Sequence, residues 1–317
     1  MKPLILNLPE IKSALNDLDL ISIIESGFKS YTSGAAVIPP VGELIFENPP
    51  GDCHIKYGYI KNQPYYLVKV ASGFYHNPKL GLNSSQGVML LFKQTTGELA
   101  AILIEEGYLT DVRTALASMI TLKYLAPEQI NAIGIIGCGV QASMQLQYLK
   151  LVTKCNQIKV WGRNKAKSSQ FAEKYQNTGF NISVANSIEQ LAGACNVIIT
   201  TTPSTQPLLF ANQVKPGTHI TAIGSDTSEK QELDPHLLAK ADLIVSDSIS
   251  QSLSRGELFK TRQAGLLNEN KIMELGEIII SSTRPERTNN QITIADLTGV
   301  AVQDIMIANA VFNKLQN

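Results

Sequence analysis

The stretch from Ala132 to Gln145, AIGIIGCGVQASMQ, restricts what this chain can fold into more than any other. An apolar run ends in Gly137-Cys138-Gly139, and helical character follows from Val140 and Gln141 through Met144, Leu146, Tyr148 and Leu149. The pattern is a strand, a tight turn and a helix start. In this G-x-G-x-x-A spacing the first glycine allows the turn, the second lets backbone N–H groups approach a phosphate, and small Ala142 lets helix and strand pack closely. Two glycines after any buried strand also make an ordinary β-to-α turn, so the setting decides between the two.

The setting is regular. A strand from Ala132 to Ile136 leads to the turn and a helix to about Val152, and a strand from Ile158 to Trp161 leads to a helix over Ala166 to Tyr175. A strand near Ile182 to Val184 precedes a helix over Ile188 to Ala192, and strands follow at Val197 to Thr200, Ile220 to Ile223 and Leu243 to Val245. Alternating strands and helices predict an α/β fold with a Rossmann-type doubly wound parallel sheet. The glycine turn follows its first strand, where a dinucleotide fold needs it, so Gly137, Gly139, Val140 and Gln141 are candidate cofactor contacts. At the end of the second strand Gly162 stands where a ribose-binding acid is expected. Arg163, with Asn164 and Lys165 beyond it, suits a 2′-phosphate, which tilts the reading of NAD(P) toward NADP. An arginine there can also stack on adenine and leave NAD acceptable. Thr201-Thr202-Pro203 should pass under the cofactor. The turn Gly224 to Lys230 puts Asp226 near the nicotinamide end, although a lone Asp after a strand is commonly an N-cap.

Before the sheet, residues 9–33 carry Ile11, Leu15, Leu18, Ile21, Ile24 and Phe28 at helical spacing. From Ala35 onward, short apolar runs broken by Pro39, Pro40, Pro49, Pro50 and Gly51 suit strands. His54–Ile60 and Tyr65–Ala71 flank Lys61-Asn62-Gln63-Pro64 as a hairpin. If those four residues are the whole loop, Lys56 faces Lys69 on one side of the sheet. Like charges directly opposite destabilise a sheet; at ~4 Å and an effective dielectric near ~20 the repulsion is about 4 kcal/mol at most. Either both lysines splay into solvent, or they form an anion site or a lysine tuned for acid–base work. Ser72–Gly87 reads as a long loop of the kind that carries binding residues. Strands at Val88–Phe92 and Leu99–Glu105 follow. A helix opening at Thr110 puts Arg113 and Thr114 near an anion-favouring N-terminus, where an ordinary surface charge is the other reading. After Asp247 come helices over Ser252–Phe259 and Lys271–Ile280 and a strand Ile292–Ala295. Asp296-Leu297-Thr298-Gly299 then caps a helix from Val300 to Leu315, expected to return to the first half of the chain.

The 27 basic and 27 acidic residues balance with no long run of either sign, which argues against nucleic-acid or membrane surfaces and for a small-molecule partner or a second copy of the chain. Cys53, Cys138, Cys155 and Cys195 have no metal-ligand or C-x-x-C spacing, no metal site is expected, and the start of the chain lacks a signal peptide's apolar core. The expected setting is cytoplasmic.

Together, YLVKVASGF around Lys69, GYLTDVRTALAS around Arg113, IGIIGCGVQA, TTTPS, GSDTSEKQEL around Asp226 and DLTGVAVQD resemble the ornithine cyclodeaminase/μ-crystallin family along nearly the whole chain. The resemblance implies an α+β substrate and dimerisation domain over residues 1–118 and 300–317, a nucleotide-binding domain over 119–299, and a homodimer. It implies that Lys69 and Arg113 hold a substrate carboxylate and assist proton transfer, that Asp226 handles the amino or imino group, and that Ser84, Thr114, Gln141, Thr202 and Lys230 line the cofactor. Family members commonly carry an arginine after a Pro-Val pair where this chain has Gly42, and cyclodeaminases use a glutamate for ornithine's distal amine where it has His54-Ile55-Lys56. A cationic pocket of His54, Lys56 and Lys69 would repel ornithine and attract a second carboxylate. The leading expectation is therefore an NAD(P)-dependent imine reductase or amino-acid dehydrogenase acting at Cα of a small amino or imino acid. Ornithine cyclodeaminase, a lyase that recycles its cofactor, and an NADP-dependent ligand-binding protein are the competing readings.

Overall fold

The structure, a computed structural model, describes residues 2–74, 76–281 and 287–316. In chain order the elements begin with β1 (Leu4–Leu6), α1 (Leu8–Leu15), α2 (Leu20–Thr32), β2 (Ala36–Val37), β3 (Gly42–Glu47), β4 (Pro50–Ile60), β5 (Tyr65–Gly73), β6 (Ser85–Lys93), β7 (Leu99–Ile104) and α3 (Tyr108–Leu125). Then come β8 (Ile133–Ile136), α4 (Val140–Leu149), β9 (Gln157–Trp161), α5 (Lys165–Tyr175), β10 (Asn181–Val184), α6 (Ile188–Ala194), β11 (Val197–Thr200) and β12 (Thr205–Leu209). The remainder is β13 (His219–Ala222), β14 (Gln231–Leu233), α7 (Pro235–Lys240), β15 (Leu243–Ser246), α8 (Ile249–Ser252), α9 (Gly256–Gln263), β16 (Ile272–Glu274), α10 (Leu275–Ser281), β17 (Thr293–Asp296) and α11 (Ala301–Gln316). The chain divides into two units, Met1–Leu116 with Val300–Asn317, and Ala117–Gly299.

In the first unit a sheet of seven strands among the described residues runs β1-β7-β6-β5-β4-β2, with β3 added on β4. Lys56 is indeed opposite Lys69, and Lys69 in turn faces Met89. The same face carries Leu6, Leu67, Leu91, Ala101 and Leu103, all buried. A one-residue slip would turn this set outward, so the apolar alternation that fixes the register also commits both lysines to the interior. Helix α11 covers the face and packs on α2, β4, β5 and β6. It is buried nearly all round, and the two helices approach so closely that a Cβ on Gly27 would lie 2.8 Å from Met306 Cγ. Asn7 and Glu10 form a capping box on α1, and Asp19 caps α2.

In the second unit the expected doubly wound sheet is present, with eight parallel strands among the described residues in the order β10-β9-β8-β11-β13-β17-β15-β16. All residues of β8 and β11 are buried, as strands covered on both faces require. The chain runs outward from β8 through β9 to β10 and returns to lay β11 on the other side of β8. That reversal is the switch point beyond which ligands bind in such sheets.

Several local expectations are corrected. The helix expected from Ser252 to Phe259 is two, α8 and α9, because Gly256 breaks it at φ +82°. The stretch from Lys271 begins as edge strand β16, too short to show a period of its own. Strands β12 and β14 pair with each other within what reads as polar linker. The loop after β5 is shorter than Ser72–Gly87, since pairing reaches Gly73 and resumes at Ser85. Finally, Asp296 does not cap the last helix. Its carboxylate accepts from Leu258 N at the start of α9 (2.9 Å), while Asp247 takes the N–H groups of Thr298 (3.1 Å) and Gly299 (2.6 Å).

Candidate active site

The buried hairpin lysines meet two charged residues from helices of the same unit. Lys69 Nζ donates to Asp304 Oδ1 of α11 at 2.9 Å and to Thr110 Oγ1 of α3 at 3.3 Å. Arg113 Nε donates to the same Asp304 oxygen at 3.1 Å, and its Nη1 donates to Gln303 Oε1 at 3.0 Å. Lys56, Lys69, Arg113 and Asp304 are all 5% exposed or less. Burial lowers the Lys69 pKa, with the Asp304 carboxylate opposing it and Arg113 adding to it. Burial pushes Asp304 upward, but Lys69, Arg113 and Lys56 together outweigh it and hold its pKa below the ordinary value. Three cations around one such carboxylate make a site that can take a further anion, and they do so where water cannot screen them.

The helix that carries Arg113 starts at Tyr108, two residues earlier than Thr110, so Arg113 lies in its second turn. The first-turn donors are already engaged: Glu105 Oε2 accepts from Leu109 N (2.7 Å) and Thr110 N (3.3 Å). The chain supplies that anion itself, which corrects the reading of α3 as an open N-terminal anion site. Burial raises the Glu105 pKa. His54 shares the face of Lys56, but its Nε2 lies 3.4 Å from Glu43 and 3.8 Å from Asp52, so that end of the pocket is mixed rather than cationic. Gly42 pairs with Ile55, and a Cβ there would meet Ile55 Cβ at 3.3 Å. Position 42 therefore points away from the face of Lys56 and Lys69, and the register gives it no part in a carboxylate clamp. Thr114 donates to Thr110 O from α3, and Ser84 ends the loop before β6 with its carbonyl accepting from Phe74 N.

In the second unit the glycine turn sits between the ends of β9 and β11. Gly137 has φ +123° and donates to Trp161 O (2.8 Å), and a Cβ on it would collide with Thr201 Oγ1. Gly139 is the N-cap of α4, makes no side-chain cap, and a Cβ there would meet nothing within 4 Å. Val140 is half exposed and Ala142 fully buried. This cradle fits a dinucleotide pyrophosphate: close packing under the first glycine, open approach at the second, and a helix start whose N-cap residue, a glycine, brings no side chain of its own. Gly162 cannot carry the missing acid as the site stands, since a Cβ would lie 3.0 Å from both Cys138 Sγ and Ser168 Oγ. Arg163 is exposed beside it. Asn164 caps α5 by accepting from Lys167 N at 3.1 Å.

Further along the strand ends, Thr202 donates through both N (2.6 Å) and Oγ1 (2.8 Å) to Glu232, and Pro203 is exposed. Asp226 forms an ion pair with Lys230 at 2.7 Å, and Arg255 donates to the Asp226 carbonyl at 3.2 Å. The structure thus brings together Lys56, Lys69 and Arg113 in one unit, and the glycine turn with Thr201, and Asp226 with Lys230, in the other. Sequence reasoning missed Asp304, Gln303, Glu105 and Glu232. Asp304 had a signal: a carboxylate on the apolar stripe of Val300, Ile307, Val311 is buried only if a cation meets it. Among the described residues no group of three His, Cys, Asp or Glu side chains could hold a metal ion, and no helix is long and apolar enough to cross a membrane.

Known proteins share this fold along nearly the whole chain. The profile of the ornithine cyclodeaminase/mu-crystallin family matches residues 1–317. An uncharacterized cyclodeaminase, y4tK, of Sinorhizobium fredii is 37% identical over 303 residues, covering 95% of this chain and 92% of its own. An archaeal alanine dehydrogenase, solved as a dimer with bound NAD, superposes with a TM-score of 0.91 at 32% identity, covering 100% of this chain and 97% of its own. The iminosuccinate reductase of Paracoccus denitrificans, solved with NAD+, gives a TM-score of 0.89 at 31% identity over 99% of this chain and 96% of its own.

Proposed function

The chain belongs to the ornithine cyclodeaminase/mu-crystallin family, and from that premise we propose that it is an NAD(P)-dependent imine reductase or amino-acid dehydrogenase acting at Cα of a small amino or imino acid. The observation that carries the reading is the buried cluster of Lys56, Lys69 and Arg113 around Asp304. Binding a carboxylate there returns part of the hydration those cations lost. Arg113 clasps the substrate α-carboxylate, and Lys69, with its proton loosened by burial, donates and accepts at the reacting end. In the second unit Asp226, its carboxylate held by Lys230, is the group suited to exchanging a proton with an amino or imino nitrogen. When bound, NAD(P) supplies or takes the hydride. Gly137, Gly139 and the α4 N-terminus would hold its pyrophosphate, with Gln141, Thr201 and Thr202 beside it in the same unit.

Lys56 takes a second carboxylate, which favours a dicarboxylic imine such as iminosuccinate over ornithine. The Paracoccus reductase, also 36% identical over 242 residues, supports this class. Arg163 favours NADP(H), whereas NAD is what the alanine dehydrogenase and iminosuccinate reductase structures carry. The outer face of the first sheet exposes Ile5, Tyr57, Tyr59 and Ile104. It forms the homodimer, in a reducing cytoplasm that keeps all four cysteines free.

The test is a screen of NADH and NADPH oxidation with 2-keto acids plus ammonia or methylamine, iminosuccinate and cyclic imines, with ornithine and NAD+ run beside it. Stoichiometric nucleotide oxidation by an imine is the expected outcome. Ammonia release from ornithine with catalytic NAD+ would make the protein a cyclodeaminase, and tight NADPH binding without turnover would make it a binder. Lys56→Ala should raise KM for the dicarboxylic substrate and leave monocarboxylic ones unchanged; equal effects would remove Lys56 from the specificity argument.

A further inference from the structure

Glu232 of β14 is fully buried, and each of its carboxylate oxygens accepts twice. Oε1 takes Thr202 N (2.6 Å) and Thr202 Oγ1 (2.8 Å), and Oε2 takes Thr200 Oγ1 (2.7 Å) and Gly224 N (2.8 Å). One side chain therefore joins the loop after β11 to the loop after β13. It also closes the second loop on itself, because that loop begins at Gly224 and returns at Glu232. Within the closure lie Asp226 and Lys230, and Ser225 Oγ donates to Lys230 O (2.8 Å). Gly224 leaves the room this needs: a Cβ there would lie 2.7 Å from Glu232 Oε2 and collide with Thr202 O. Glu232 is itself held, since Glu257 Oε1 accepts from Glu232 N (2.7 Å) and Glu257 Oε2 from Leu233 N (3.2 Å). None of these bonds involves the glycine turn or Gly162 and Arg163.

We propose that Glu232 is a positioning residue that fixes the Asp226 loop against the Thr200–Thr202 loop, and so sets the nicotinamide half of the dinucleotide while leaving the adenosine half untouched. The inference rests on the dinucleotide reading above. In a doubly wound sheet the adenosine half belongs to the glycine turn and the end of β9, and the second half to strand ends on the other side of the switch point. The chemistry of Glu232 is hard to replace. Each oxygen receives one main-chain N–H, so a glutamine, whichever way its amide turns, leaves either Thr202 N or Gly224 N facing an NH2 group. A buried main-chain donor left unsatisfied in this way corresponds to a change of about tenfold or more.

The test compares wild type, Glu232→Gln and the milder Thr200→Val, which removes one hydroxyl donor and leaves both main-chain bonds. For each, Kd is measured for ADP-ribose, its 2′-phosphate, NADH and NADPH, together with kcat, KM and the primary isotope effect from 4-deuterated nucleotide. In Glu232→Gln, ADP-ribose affinity should stay within about twofold of wild type, while the dinucleotide weakens about tenfold and kcat falls with a larger isotope effect. Thr200→Val should move the same quantities the same way by less. Parallel weakening of ADP-ribose and dinucleotide would mean a general structural role and overturn the proposal, as would no change in either. If the wild-type protein binds neither ADP-ribose nor dinucleotide, the reading of the second unit fails first and the proposal falls with it.

Discussion

In the first unit one oxygen of Asp304 is shared between Lys69 and Arg113, whereas in the second Glu232, Glu257 and Asp296 each accept from peptide N–H groups, Glu232 taking two threonine hydroxyls as well. Both regions take charge out of water, but the partners differ in kind. Charges paired with charges can be rearranged by an incoming anion, because the new ion competes on equal terms for mobile side chains. Carboxylates paired with the main chain can release their partners only if loops move. The first arrangement suits a place where a ligand exchanges, and the second suits a scaffold that must hold still. The two also titrate in opposite directions. Asp304 is held below its ordinary pKa by its cations, and Asp296 is pushed by burial up to about 7.

The largest test of this contrast is Asp304→Ala, which leaves Lys69 and Arg113 buried without their carboxylate. It should cost ~3–5 kcal/mol in urea unfolding, and added acetate or malonate should recover part of it. A loss under ~1 kcal/mol, or no recovery, would mean that the cations are held by packing.

The second test is Asp296→Asn. Its folded pKa of about 7 lies above the ordinary 3.8, so the folded state keeps a proton that the unfolded chain releases. The associated stability is fully present below about pH 4 and is lost as pH rises through 7, by about 1.4 kcal/mol per unit within that window. The asparagine variant should match wild type below about pH 4 and surpass it near pH 8. For Asp304 the sign is reversed: its pKa lies below the ordinary value, and its stability is lost as pH falls below about 4. Wild type and Asp296→Asn with parallel pH profiles would remove the contrast. The smallest change is Thr110→Val, which deletes the neutral partner of Lys69 at 3.3 Å. It should cost ~1 kcal/mol or less, and a larger loss would put the hydroxyl ahead of the carboxylate in holding Lys69.

What was legible in the sequence follows from range. The opposition of Lys56 and Lys69 needed only a four-residue loop and the two-residue period of strands, and the sheet needed only the order of apolar runs. Asp304 could not be assigned to Lys69 by any local rule, because 235 positions separate them and only the packing of α11 on β5 brings them together. Glu232 was hidden differently. Its strand has three residues, too few to display a period, and its partner strand β12 lies apart from the main sheet. Asp296 was misassigned because Asp before a helix is ordinarily a cap, and here the cap serves α9 while Asp247 serves the turn before α11. The candidate site was thus readable where neighbours in sequence are neighbours in space.

The seating of Asp304 on α11 also bears on how the protein is made. A ribosome adding roughly 5–20 residues per second takes about 10–40 s to cover the 191 positions between Arg113 and Asp304. For that time the first unit has its sheet strands but lacks the anion that neutralises its interior. The second unit, whose carboxylates depend on peptide groups within Ala117–Gly299, is complete before α11 is synthesised. The order of birth is therefore inverted: the segment translated first is the last to become stable, and a nascent chain stalled before Asp304 should present a protease-resistant second unit behind a digestible first one.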